Sequence, residues 1–239
     1  MCTVVIRVPE NPDDAIQLLA VRDEDPARGW DPLGASWPAH PDIIGVRDQR
    51  AGGAWLAADP DAGRLAVVLN REGSPDLPES RIASRGELPF AALASDEAPH
   101  GALSRADVAR MRGFNLVKVV GGVGAAVFSW EGSGRLCAET LAPGTHMIAH
   151  HDVDDPRTAR ITRWREAFAA APFAEWPELL VRTEEFGPDD DRAIIRDNRA
   201  HGWPTLTTLA CIAEIQPGRA RVQYAELADP GVPAPLTFS

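Results

Sequence analysis

Cys2-Thr3-Val4-Val5-Ile6-Arg7-Val8 reads as a β-strand at the start of the chain. Its β-branched residues suit a pleated, half-buried surface. Cys2 stands directly behind Met1, and cysteine is small enough for methionine aminopeptidase to act. Removal of Met1 leaves one residue with both a thiol and a free α-amine. An α-amine has a reference pKa of about 7.7–8.0, so near neutrality much of it is free base and able to take the thiol proton. Nucleophile and general base then share a residue. The plainer reading is that Cys2 is a small hydrophobe opening a strand. Both stand at this point.

Working outward, Ala15–Arg22, Ala54–Ala58 and Arg64–Asn70 read as strands, the last two around the turn Asp59-Pro60-Asp61-Ala62-Gly63. Residues Asp25–Asp42, rich in Pro and Gly, read as loop, although they hold Trp30 and Trp37. Ser84-Arg85-Gly86-Glu87 has the spacing of a capping box before a helix to about Ala94, with Pro89 near its first turn. Ser104–Met111 reads as a second short helix. Four strands follow: Phe114–Val120, Ala125–Trp130, Leu136–Leu141 and His146–Ala149. Pro156 starts a helix to about Ala171 with Ile161, Trp164 and Phe168 on one stripe. Glu175–Thr183 and Asp189–Arg196 read as short helices, and Thr205–Ile215 and Ala220–Glu226 as the last strands. The tail Asp229–Ser239 is Pro-rich. No internal repeat or long linker divides the chain, so residues 1–239 are expected to form one α+β domain. Two antiparallel sheets lie face to face with helices outside, because regular β-α alternation is missing.

The net charge of −11 argues against nucleic acid or an anionic membrane as the main partner. No apolar run approaches the roughly 18 residues of a membrane span, and no export signal is recognisable. Cys2, Cys137 and Cys211 are widely spaced and odd in number, which fits reduced thiols in a cytoplasm. Cys137 and Cys211 lie in apolar strands and are expected to be core thiols. His146, His150, His151 and Asp152 form the one metal-like cluster, read as satisfied or solvated histidines, so no metal is expected.

Several fragments, in order, resemble the NRDE family, also called the transport-and-Golgi-organisation type-two family. They are Met1-Cys2, Val21-Arg22-Asp23-Glu24, Gly45-Val46-Arg47-Asp48 with Gly52-Gly53-Ala54-Trp55-Leu56, and Gly63 to Asn70. Ser84-Arg85-Gly86-Glu87-Leu88, Gly113-Phe114-Asn115-Leu116 and Leu141-Ala142-Pro143-Gly144-Thr145 continue the series. The resemblance spans residues 1 to about 227. The family is in turn similar to N-terminal-nucleophile hydrolases of the choloylglycine hydrolase and penicillin V acylase branch, which implies a four-layer αββα sandwich. It also implies Cys2 as nucleophile and base, Arg22 favouring thiolate, Asp23 holding the α-ammonium, and Asn70 donating to an oxyanion.

The chain departs from that pattern at three places. Val21 stands where the signature has Asn, His150 where the branch has an oxyanion Asn, and Pro204 where the family has Arg. His150 keeps one donor and is carried as a catalytic candidate, and losing a cation should raise the thiol pKa. Trp30, Trp37, Trp55 and Asn115 are the expected ligand contacts. Two functions remain open: hydrolysis of a linear amide C–N bond by Cys2, or non-catalytic carriage in haem trafficking or lipid and acyl-CoA homeostasis. The partner is a small amide or a hydrophobic ligand; no cofactor is expected, haem being a cargo under the second reading.

Overall fold

The structure, a computed structural model, describes residues 2–94 and 108–239. The first sheet is formed by β1 (Thr3–Val8), β2 (Ile16–Glu24), β10 (Gly144–Ile148), β11 (Leu206–Gln216) and β12 (Arg219–Glu226). Its order is β10-β1-β2-β11-β12. The second holds β3 (Trp30–Gly34), β4 (Ile44–Asp48), β5 (Ala54–Asp59), β6 (Arg64–Asn70), β7 (Phe114–Val120), β8 (Gly124–Trp130) and β9 (Cys137–Thr140) in sequence order. Every pairing between these strands is antiparallel.

The period-2 pattern of each strand sorts its side chains between layers. Val4, Ile6, Leu18 and Ala20 meet Leu56, Leu65, Val67 and Val117 between the sheets. Val5, Leu19 and Val21 point the other way, onto α2 (Ala159–Ala170) and α3 (Trp176–Val181), where Trp164, Phe168 and Trp176 cover them. On the far side, Ala66, Phe114 and Leu116 pack under α1 (Leu88–Leu93). The expected αββα order is thus present. Arg7 ties its layers together: its Nη2 donates to the Phe168 and Ala171 carbonyls at 2.6 and 2.8 Å, satisfying acceptors at the end of α2.

Several local expectations are corrected. Asp25–Asp42 is not all loop, because Trp30–Gly34 pairs with β4 as an edge strand, where Pro32 lacks no needed donor. Ser84 does not cap α1; its Oγ accepts the Gly86 N–H at 3.2 Å in a local turn, and the helix starts at Leu88. Asp189–Arg196 forms turns, since Asp190 accepts the Arg192 N–H and Ala193 to Arg196 are all buried, which one helix face cannot achieve. Cys137 is exposed on the edge strand β9, whereas Cys211 is buried. In the proposed Ser104–Met111 helix, residues 104–107 lie outside those described. The Pro-rich tail returns to the fold, with Ser239 and Tyr224 exchanging backbone hydrogen bonds at 3.1 Å.

Candidate functional site

Strand alternation places the first site residues. Cys2 shares the parity of Val4 and faces the space between the sheets, beside Arg22, which shares the parity of Ala20. The Asp23 N–H donates to Cys2 Sγ at 3.4 Å, and the thiol contacts the Asp23 carbonyl at 3.7 Å. Cys2 is 6% exposed, part of the inter-sheet core on one side and of a cleft of about 540 Å³ on the other. Burial, then the Asp23 charge, pushes its thiol pKa up. The resting group is a protonated thiol, so a proton acceptor is needed to make it a nucleophile.

Asp23 follows Arg22, so its carboxylate turns toward the helix layer. There it accepts the Thr207 hydroxyl at 2.6 Å and Asn198 Nδ2 at 3.0 Å. Asn198 Oδ1 accepts Arg196 Nε at 3.1 Å, and Arg196 reaches Asp191 at 2.7 Å. Arg160 donates to Thr3 Oγ1 at 2.8 Å, and burial and the charge of Arg196 lower its pKa to about 10. A buried polar network therefore stands behind the thiol. It depends on Thr207, Asn198, Arg196 and Arg160, none of which the sequence reading singled out.

The cleft wall opposite carries Asn70 at the exposed end of β6, Trp55 and Arg85. Arg85 belongs to the capping-box and family fragment Ser84–Leu88 with no site role expected of it, yet Nη1 donates to the Gly113 carbonyl at 2.7 Å and the side chain lines the cleft. Its loop is held by a glycine pair. Gly86 O accepts the Ala54 N–H at 2.9 Å, and a Cβ on Gly53 would lie 2.5 Å from Gly86 Cα. Gly53 and Gly86 thus permit a backbone contact that a side chain on either would prevent.

The remaining expected residues do not gather there. Trp37 packs edge-on to Phe90 beneath the second sheet and donates to Gly52 O, on the side away from Cys2. Trp30 lies outside the cleft lining; it donates to Tyr224 Oη, and Arg22 sits over its ring at 5.5 Å. Asn115 is fully buried and its amide is engaged: Nδ2 donates to the Ala149 and His151 carbonyls at 2.8 and 2.7 Å, and Oδ1 accepts Ser129. It clamps one sheet to the segment after β10 and lies outside the cleft lining. His150 also lies outside the cleft lining. Burial, then Arg160 and His151, lower its pKa to about 3, so it is neutral.

The other two departures are structural in character. Val21 fills the helix-side core, where an amide would be buried among hydrocarbon, and Pro204 is exposed. The space between the sheets is filled by apolar side chains, and the cleft beside it is lined mainly by polar and charged groups. Among the described residues no group of three or more His, Cys, Asp or Glu side chains is arranged to hold a metal, and no helix is long and apolar enough to cross a membrane.

A family model, Transport and Golgi organisation 2 (TANGO2), matches residues 1–182. No curated protein sequence matches the chain. Among solved structures, a Caenorhabditis elegans N-acylethanolamine-hydrolyzing acid amidase (NAAA) ortholog is similar. The two are 11% identical over 89% of this chain and 92% of that one, with a TM-score of 0.47.

Proposed function

The chain belongs to the Transport and Golgi organisation 2 family, and we propose that it acts as an N-terminal-cysteine hydrolase of linear amides. The observation that carries this reading is the position of Cys2: its sulfur, held by the Asp23 N–H, borders a polar cleft with Arg22 beside it. Once Met1 is removed, the α-amine of Cys2 takes the thiol proton and the thiolate adds to the amide carbon. The carbonyl oxygen becomes an oxyanion, with the Asn70 amide as its expected donor. Collapse breaks the C–N bond, and the leaving amine takes the proton from the α-ammonium. Water then cleaves the thioester, its proton returning to sulfur, and releases the carboxylic acid. Asp23 holds the α-ammonium, and Asn198 and Thr207 fix its carboxylate. Three unpaired thiols suit a reducing compartment, so the reaction is assigned to the cytoplasm.

Carriage of haem, lipid or acyl-CoA groups calls for an apolar chamber. The charged cleft favours a polar amide over such a cargo.

The test combines intact mass with covalent trapping. Mass should show loss of Met1. A β-lactone probe applied in a Cys137→Ser background, which removes the exposed competing thiol, should label the peptide containing Cys2. Retained Met1, or labelling confined to Cys211, would overturn the reading.

A further inference from the structure

The ionic pairs along the cleft do not balance. Of the carboxylates lining it, Glu24 meets Arg22, Asp48 meets Arg28 and Glu79 meets Arg112. Asp23 is held from behind by Asn198 and Thr207. Among the described residues, two lining cations have no carboxylate partner: Arg85, which donates to a backbone carbonyl, and the exposed Arg50. Burial lowers the pKa of Arg85, and the more distant charge of Glu24 does not offset it. The lining therefore holds five arginines against four carboxylates, a positive excess of one in a chain of net charge −11.

Among the described residues, two buried donors in the same lining are also unsatisfied. Arg22 is 2% exposed, and its Nη1 has no hydrogen-bond partner, although Nη2 meets Glu24. Trp55 is buried, and its indole Nε1 has no partner either. Leaving a buried donor unpaired costs about 1–3 kcal/mol, so such groups in a cleft wall point to an acceptor that arrives with a ligand. Arg85 and Arg50 supply the charge, and Arg22 and Trp55 supply donors deeper in. A planar carboxylate fits a guanidinium fork with two parallel hydrogen bonds.

We infer that the cleft contains an anion subsite centred on Arg85, and that its ligand is a linear amide bearing a free carboxylate. This rests on the reading of Cys2 as an amide-cleaving nucleophile, but its binding half is measured separately. In the full-length Cys2→Ala protein, which cannot turn substrate over, the probes are N-butyrylglycine and N-butylsuccinamic acid. Their carboxylates lie on the amine and acyl halves of the amide, and each is compared with its methyl ester.

At least one acid should bind about tenfold or more tighter than its ester, the worth of one charge-assisted hydrogen bond. Arg85→Gln should abolish that preference, Arg85→Lys should retain part of it, and Arg50→Gln, at an exposed position, should weaken it. Added salt should reduce it. Equal binding of acid and ester, no saturable binding of either acid, or a preference that survives Arg85→Gln in a folded protein would overturn the subsite. The first two outcomes require no Arg85 variant. If the preference holds but the Cys2 protein does not cleave the preferred acid, the subsite stands and the amidase reading fails. Cleavage with no acid preference gives the reverse.

Discussion

Cys2 Sγ is held by both backbone groups of Asp23, accepting its N–H at 3.4 Å and contacting its carbonyl oxygen at 3.7 Å. The carbonyl suits a protonated thiol, and the N–H suits either protonation state. Ionisation therefore gives up one contact and keeps the other, so activation requires a base and no rearrangement of β1 against β2. The same register separates the two roles of the signature: Arg22 serves the cleft face, and the Asp23 carboxylate serves the buried network behind it.

Asn198 tests that network. Asn198→Ala removes a donor to a buried carboxylate and an acceptor of Arg196. It should destabilise the protein by about 2 kcal/mol in denaturant titration and lower kcat with little change in KM. Asn198→Asp keeps the shape but sets a second carboxylate beside Asp23, so its loss should be larger. An Asn198→Ala protein of unchanged stability and kcat would remove Asn198 from the positioning role.

Gly86→Ala tests how Arg85 is placed. A Cβ there would meet Gly53 Cα at 2.8 Å, so the loop must move outward. The expected result is a melting temperature lowered by the equivalent of about 1–3 kcal/mol, with weaker binding of the acid probes and unchanged binding of their esters. Equal weakening of both would show that the loop shapes the cleft without presenting the cation.

Asn115→Ala should cost about 2–3 kcal/mol, because the Ala149 and His151 carbonyls lose a buried donor. Urea midpoints check this. A cost near zero would mean the two sheets are held by their apolar contacts alone.

Two histidines should give opposite pH responses. His146 Nδ1 faces Asp154 at 2.8 Å and Nε2 faces the Ala142 carbonyl at 2.9 Å, so both ring nitrogens donate in the imidazolium form. The Asp154 hydrogen bond raises its pKa. Its stabilising contribution is full below about pH 6.5, the unfolded value, and is lost as pH rises through the higher folded value. His150 is pushed down to about 3, mainly by burial. Its contribution is present above about pH 6.5 and is lost as pH falls from there toward 3. His146→Gln should flatten the alkaline side of a stability–pH curve, and His150→Gln the acid side. The opposite assignment of the two limbs would refute both protonation states.

Much of the architecture was legible in the chain itself. Alternation in Thr3–Val8 and Arg64–Asn70 marked the strands and both their faces, and the Ile161, Trp164, Phe168 stripe marked the helix over them, because periodicity of 2 and 3.6 is a local property. Met1-Cys2 and Val21-Arg22-Asp23-Glu24 likewise announced a thiol and its neighbouring charges. The sequence could not say which tryptophan reaches the cleft. Trp37 and Trp55 look alike in composition, yet one lies under a sheet and the other faces Cys2.

What only the tertiary structure decided was the company each group keeps. Asp23 meets Asn198 and Thr207 across 175 and 184 residues of chain. Arg85 enters the cleft wall because two glycine backbones touch. Asn115 becomes a clamp because the segment after β10 passes beside it. Hydrogen bonds and charge balance depend on separations of a few ångströms, and no local pattern encodes which distant residues a folded sheet brings that close.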